Sequence, residues 1–162
     1  MKFKYFFLCL IILILAGSIG AIAAADDYES IGDYTFDIPE NFTIVNSTEH
    51  VVSLEQDENQ AIVLACLDEA KSPEQFKADL EAKGFEISDE EKNFTAGIFK
   101  VRQNDISQND TKGFLYICDD STEDDGDDEL FITFTFKSDN DDIVADNNTV
   151  TELLKSIKEV DD

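Results

Sequence analysis

Apolar residues recur along this chain at two spacings, and each spacing names an element. In Leu130-Phe131-Ile132-Thr133-Phe134-Thr135-Phe136, the residues Leu130, Ile132, Phe134 and Phe136 fall on one side of an extended strand, because successive side chains of a strand alternate faces. A face that apolar must be covered, so the pattern predicts a helix above it. The runs 61–67 and 113–118 are apolar on both faces, which marks central strands. Extended in this way, the pattern predicts strands at 33–38, 42–46, 50–56, 60–67, 85–88, 97–103, 112–118 and 130–137.

The period lengthens to that of a helix in two places. Over 73–83, Phe76 and Leu80 are four apart, Ser72 and Gln75 form a capping box, Pro73 occupies the first turn and Gly84 stops the helix. Over 149–159, Val150, Leu153, Leu154 and Ile157 share a face, with Thr149 as expected cap and Glu152 at the third position. The fold class expected is α+β, a largely antiparallel sheet with helices packed on it.

The opening stretch Tyr34-Thr35-Phe36-Asp37-Ile38-Pro39-Glu40-Asn41-Phe42 and the closing Leu153-Leu154-Lys155-Ser156-Ile157 resemble the PsbP-like family of α/β/α sandwich domains. Members often begin with an aromatic-x-Phe-x-Ile-Pro stretch that reaches a bulky aromatic, and often close on a similar helix. The resemblance covers 33–159. It departs from the family in having Phe42 where Trp is common, and in an acidic insertion with no counterpart. It implies a sandwich fold and an exported, non-catalytic accessory or binding role, and it brings no catalytic residue set.

Upstream of the patterned region, Lys2 and Lys4 precede an apolar run from Tyr5 to Leu15, and small residues follow from Ala16 to Ala25. That order is expected of a signal peptide over 1–25, removed after Ala23 or Ala25. Tyr5 to Ala25 is also long enough to anchor the chain in a membrane if uncleaved, which would be its one membrane contact. Charge supports export either way, since the basic residues lie before the segment and the acidic ones after it. A short linker at 26–32, a single domain at 33–159 and an acidic tail at 160–162 complete the expected organisation.

The whole chain carries a net charge of -25; without 1–25 only 10 of its 12 basic residues remain against all 37 acidic ones. Such a surface repels phosphate backbones, which excludes nucleic acid as a partner. Two cysteines fall in the domain, Cys66 and Cys118, each in a central-strand run. An even number in an exported chain points to a disulfide, provided that the register brings the two side by side; the alternative is a pair of buried thiols packed as small hydrophobes.

Candidate chemistry is sparse. His50 is the sole histidine, with Ser47 and Ser53 near it in sequence, and a hydrolase built from dispersed residues would have to use it. No G-x-S-x-G elbow accompanies it. The acidic run 119–129 is expected as an exposed, solvated and mobile hairpin loop with no cofactor, the alternative being weak, unselective binding of a divalent cation such as Ca²⁺ through Asp120, Glu123, Asp125 and Asp127. An EF-hand alignment on Gly126 puts Ile132 where the bidentate Glu should stand, so that motif fails.

Five sequons, at Asn41, Asn46, Asn93, Asn109 and Asn147, exceed the number that chance would place among 9 Asn and 20 Ser or Thr in 162 residues, about one. They point to a glycosylated surface protein, or to Asn and Thr gathered at turns for backbone reasons. The reading that unites these features is an exported, acidic, non-enzymatic domain that binds or assists an envelope or extracellular protein.

Overall fold

The computed structural model describes residues 28–57, 59–67, 72–121, 129–140 and 142–160; the expected signal segment 1–25 lies outside them. Among the described residues the chain forms β1 (Tyr28–Ile31), β2 (Tyr34–Asp37), β3 (Thr43–Ser47), β4 (Val51–Gln56), β5 (Gln60–Leu67), α1 (Pro73–Ala82), β6 (Glu86–Ala96), β7 (Phe99–Gln108), β8 (Thr111–Asp120), β9 (Glu129–Lys137), α2 (Thr149–Ser156) and β10 (Lys158–Glu159). Seven strands make one antiparallel sheet in the order β3-β4-β5-β9-β8-β7-β6, and a small sheet runs β1-β2-β10. The chain is thus α+β, a mainly antiparallel sheet with helices on it, as its periodicity predicts.

Strand β9 lies between β5 and β8 at the middle of the large sheet, so both of its faces must be covered. On one face Leu130, Ile132, Phe134 and Phe136 join a core with Val150, Leu153 and Leu154 of α2 and with Ile31, Tyr34 and Phe36 of the small sheet. On the other face Phe131 joins Leu115 and Ile117 beneath Phe76 and Leu80 of α1. The Phe76 and Phe131 rings stack with centroids 4.5 Å apart. Each fully buried side chain of this size stabilises by about 1.5–3 kcal/mol.

Local signals set the helix ends. Ser72 Oγ accepts from the Gln75 N–H at 3.3 Å and Gln75 Oε1 accepts from the Ser72 N–H at 3.1 Å, the reciprocal pair expected of a capping box. At the other end of α1, Gly84 adopts φ +94°, and the N–H groups of Gly84 and Phe85 donate to Glu81 and Leu80, closing a Schellman motif. Helix α2 is capped one residue earlier than expected. Asn148 Oδ1 accepts from the N–H of Val150 at 2.7 Å, and Thr151, not Glu152, reaches back to the cap backbone. Asn148 Nδ2 also donates to the Tyr116 hydroxyl at 2.7 Å, and that hydroxyl donates to the Ala145 carbonyl at 2.9 Å. One side chain thereby caps α2 and ties it to the middle of β8.

Several expected boundaries need correction. Residues 28–31, inside the expected linker, form β1, because Ile31 is buried in the core and the strand pairs along its length with β2. The closing helix stops at Ser156 rather than 159: Ile157 turns extended, and Lys158 and Glu159 pair with Thr35 and Tyr34 of β2. Strand β6 reaches Ala96 rather than 88. It is a charged edge strand with much of its side-chain surface in water, so it carries no apolar alternation to read. The acidic loop is shorter than expected, since Asp119 and Asp120 belong to β8 and Glu129 to β9.

The expected disulfide is also overturned, and the register gives the reason. Cys66 and Cys118 both face Leu130, one from β5 and one from β8. They are therefore two strand spacings apart, roughly 9–10 Å, beyond the roughly 7 Å that a bridge tolerates. Both side chains are buried and no disulfide joins them. Burial also pushes the Cys118 thiol well above its ordinary pKa, which keeps it protonated and inert.

Two outcomes follow from this packing. Intact mass should be the same with and without reductant, and iodoacetamide should label Cys66 and Cys118 only after denaturation; a mass change on reduction with native-state protection would restore the bridge. Tyr116→Phe, which removes the hydroxyl between Asn148 and Ala145, should lower stability in urea by about 1–3 kcal/mol. An unchanged midpoint would show that the tie contributes nothing.

Candidate functional site

A cleft of about 480 Å³ opens in the described surface on the α2 face of the large sheet. Residues 86–88, 105–107 and 112–114 of three neighbouring strands form its floor, and Phe136, Asn140 and Ile143 form its wall. The register explains the grouping. Glu86, Ser107, Lys112 and Phe136 are successive cross-strand partners, and Asp105 lies opposite Phe114 in the next row. The Phe114 and Phe136 rings are 5.4 Å apart at a tilt of 55°.

Along β7 on this face the exposure changes abruptly. Phe99, Val101 and Gln103 are buried, whereas Asp105 is exposed at the cleft. Gln103 is fully buried opposite Tyr116, and its amide Nε2 donates to Asp105 Oδ1 at 2.8 Å. Its Oε1 is buried without a partner. Leaving a buried acceptor unmatched costs about 1–3 kcal/mol, so Gln103 spends stability at the position that orients Asp105. Neighbouring Tyr116 is itself raised well above its ordinary pKa by burial, against the opposing hydrogen bond from Asn148, and serves as a structural hydroxyl.

A second polar group lies on the opposite face, at the other end of the strands. Arg102 Nη2 stands 3.5 Å from Asp119 Oδ1 and 3.4 Å from Glu129 Oε1, bringing β7, β8 and β9 together. Partial burial, followed by the charge of Asp119, raises the Glu129 carboxyl above its ordinary pKa, while Arg102 pulls it down. The trio is a shared-cation ion pair at the margin of the α1 layer.

No family model and no curated protein matches this chain. A crystal structure from Bacteroides thetaiotaomicron VPI-5482 is similar in fold, with a TM-score of 0.50 at 9% identity, over 80% of this chain and 46% of that one. This chain thus spans about half the length of that structure. At such identity the likeness concerns the fold alone.

The structure disperses most of the residues singled out by sequence. His50 is half exposed beside Glu49, with Nε2 4.0 Å from its Oε2. Ser53 is fully buried within β4, so it is not presented to His50 as a nucleophile. Asp120, expected in a solvated loop and a candidate ligand only in the divalent-cation alternative, is instead a buried carboxylate at the end of β8 that accepts from the Tyr34 hydroxyl at 3.1 Å. Its burial follows from β8 running three residues past Ile117, beneath the small sheet. Glu123, Asp125 and Asp127 lie outside the described residues. Among the described residues no three His, Cys, Asp or Glu gather as metal ligands.

The sequons divide. Asn46 is buried at 3% exposure on β3, which leaves no room for a sugar and overturns it as a glycosylation site. Asn41, Asn93, Asn109 and Asn147 are exposed. Asn41 and Asn109 take φ of 68° and 53°, a backbone region that Asn tolerates better than most residues, so these two also have a conformational reason to be Asn.

Sequence reasoning missed Gln103 and Asp105 because β7 was expected to end at 103. Phe99, Val101, Gln103 and Asp105 do alternate on one face, and a polar residue continuing an apolar row was the available signal. The raised Glu129 pKa has a defined pH consequence. The protonated form suits the fold, so this group's contribution is fully present below its ordinary 4.5 and is lost as pH rises through the raised folded value. Glu129→Gln mimics the protonated carboxyl, and should raise the thermal midpoint near pH 7 but lose that advantage near pH 4. An equal difference at both pH values would unlink this carboxyl from folding.

Proposed function

We propose that this chain is an exported, acidic, non-enzymatic domain of the PsbP-like α/β/α sandwich type that binds or assists another envelope component. Its fold is compatible with that type, with α1 over one face of the sheet and α2 over the other. The N-terminal order of basic, apolar and small residues supports export, and the acidic surface suits partners that are cationic or neutral rather than phosphate-bearing.

The observation that carries the binding role is the separation of the cleft from the histidine. Ser88 and Ser107 border the cleft, but His50 precedes β4, four strand positions from β7 in the sheet order, or roughly 19 Å away. An alternative hydrolase using His50 would need that histidine at the cleft, where a base must come within hydrogen-bond reach of its nucleophile. The cleft therefore suits recognition better than hydrolysis. Cation binding by the 119–129 run is the weaker reading, because Asp120 is committed to Tyr34.

The test is recovery of the tagged protein from its native cell envelope, with and without cross-linking, followed by mass spectrometry. A single envelope component enriched at comparable amount, and lost when the cleft is blocked by Ser107→Trp, supports the reading. Hydrolysis of a broad ester and peptide panel that His50→Ala abolishes would replace it with the enzymatic one. In the same material, glycosidase treatment should shift the peptides bearing Asn41, Asn93, Asn109 or Asn147 and leave the Asn46 peptide unmodified.

A further inference from the structure

We infer that the cleft over β6, β7 and β8 binds a small organic ammonium ion, with Asp105 as its counter-ion. Four observations lead there. The cleft, at about 480 Å³, has the size of a small-molecule site. Its charged side chains are two carboxylates, Glu86 and Asp105, against one ammonium, Lys112, and the chain around it has a net charge of -25. A site of that sign concentrates cations and repels anions.

The third observation is that Asp105 is held in place. The fully buried Gln103 donates to Asp105 Oδ1 at 2.8 Å and leaves its own Oε1 unmatched. A carboxylate that served only solubility would need no such fixture, whereas a counter-ion gains from being fixed before its ligand arrives. The fourth is the apolar wall. Phe114 is the direct cross-strand partner of Asp105, the Phe136 ring centroid lies 5.4 Å from that of Phe114, and Ile143 closes the side. Aromatic and aliphatic surface beside a carboxylate favours an ammonium whose positive charge is spread over carbon, since a small inorganic cation would have to shed a tightly held hydration shell to touch the wall. The cleft is the one used in the envelope-partner reading, but the inference does not rest on that reading: its ligand is a free small molecule, and its test uses the purified protein with no envelope component present.

The probe is benzyltrimethylammonium, titrated into the purified protein at low salt while the backbone amides of 105–107 and 112–114 are followed by NMR. Benzyl alcohol is the neutral control and phenylacetate the anionic one. Saturable shifts confined to the cleft are expected with the cation, with benzyl alcohol about tenfold weaker and phenylacetate silent. Asp105→Asn keeps an acceptor for Gln103 and should weaken the cation about tenfold without changing benzyl alcohol. Lys112→Gln should tighten the cation severalfold, and Glu81→Gln, an exposed charge on α1, should change nothing. Equal affinity for cation and alcohol, an unaltered cation affinity in Asp105→Asn, or shifts that never saturate would overturn the proposal. Phosphatidylcholine vesicles should not sediment the protein; if they do, the ammonium belongs to a lipid headgroup and the free-ligand assignment fails.

Discussion

Burial of β9 on both faces is the constraint from which the rest of the structure follows. A strand between β5 and β8, with Leu130, Ile132, Phe134 and Phe136 on one side and Phe131 on the other, cannot face water on either. The fold supplies a separate cover for each side. Helix α1 stacks Phe76 directly on Phe131, and its length is fixed at both ends by short-range hydrogen bonds. On the other side the cover is composite, made of α2 and the β1-β2-β10 sheet, and so it needs ties between pieces distant in sequence. Tyr116 with Asn148 is one such tie, and Tyr34 with Asp120 is another. The same placement keeps the cysteines apart: β9 separates β5 from β8, and the Leu130 position that both thiols flank is occupied by the strand that the core requires.

Charge is arranged around this core rather than within it. With 37 acidic residues against 12 basic ones, self-repulsion is the standing cost of the compact state. Carboxylates that come close to the core are each met by a donor. Asp120 accepts from Tyr34, Asp105 from Gln103, and Asp119 and Glu129 share Arg102. At Glu129, partial burial and then the charge of Asp119 outweigh the pull of Arg102, and the pKa rises. The side chains that look most reactive in composition are therefore mostly spent on holding strand ends together.

Strong periodicity was legible, and weak periodicity was not. The two helices, β4, β5, β8 and β9 follow from runs whose apolar spacing admits one element, and capping at Ser72 follows from a local rule. Edge structure escaped because it obeys a different rule: β6 is kept polar to discourage pairing with other chains. Strands β1 and β10 are short and depend on the partner strand β2 between them. Asp120 was misplaced for a related reason, since a run of acidic residues reads as solvated until a distant hydroxyl claims one of them. At the cleft the legible part was Phe114 and Phe136; the meaning of Asp105 required knowing that Gln103 is buried beside it.

The cleft itself arises from a mismatch of dimensions. Seven strands span six inter-strand spacings, roughly 29 Å, while α2, with eight residues, is about 12 Å long. Even with the small sheet beside it, so short a helix leaves part of its face uncovered. The exposures trace where cover runs out. Along β8, Cys118 and Tyr116 are fully buried, Phe114 is 8% exposed and Lys112 lies in water, and β7 passes from buried Gln103 to exposed Asp105 in the same row pair. Asn140 and Ile143 border this corner on one side. An uncovered corner of an apolar face would ordinarily favour aggregation. Here Asp105, Lys112 and Glu86 occupy the boundary positions, which keeps the corner wet and at the same time gives it a charge pattern that a ligand can read.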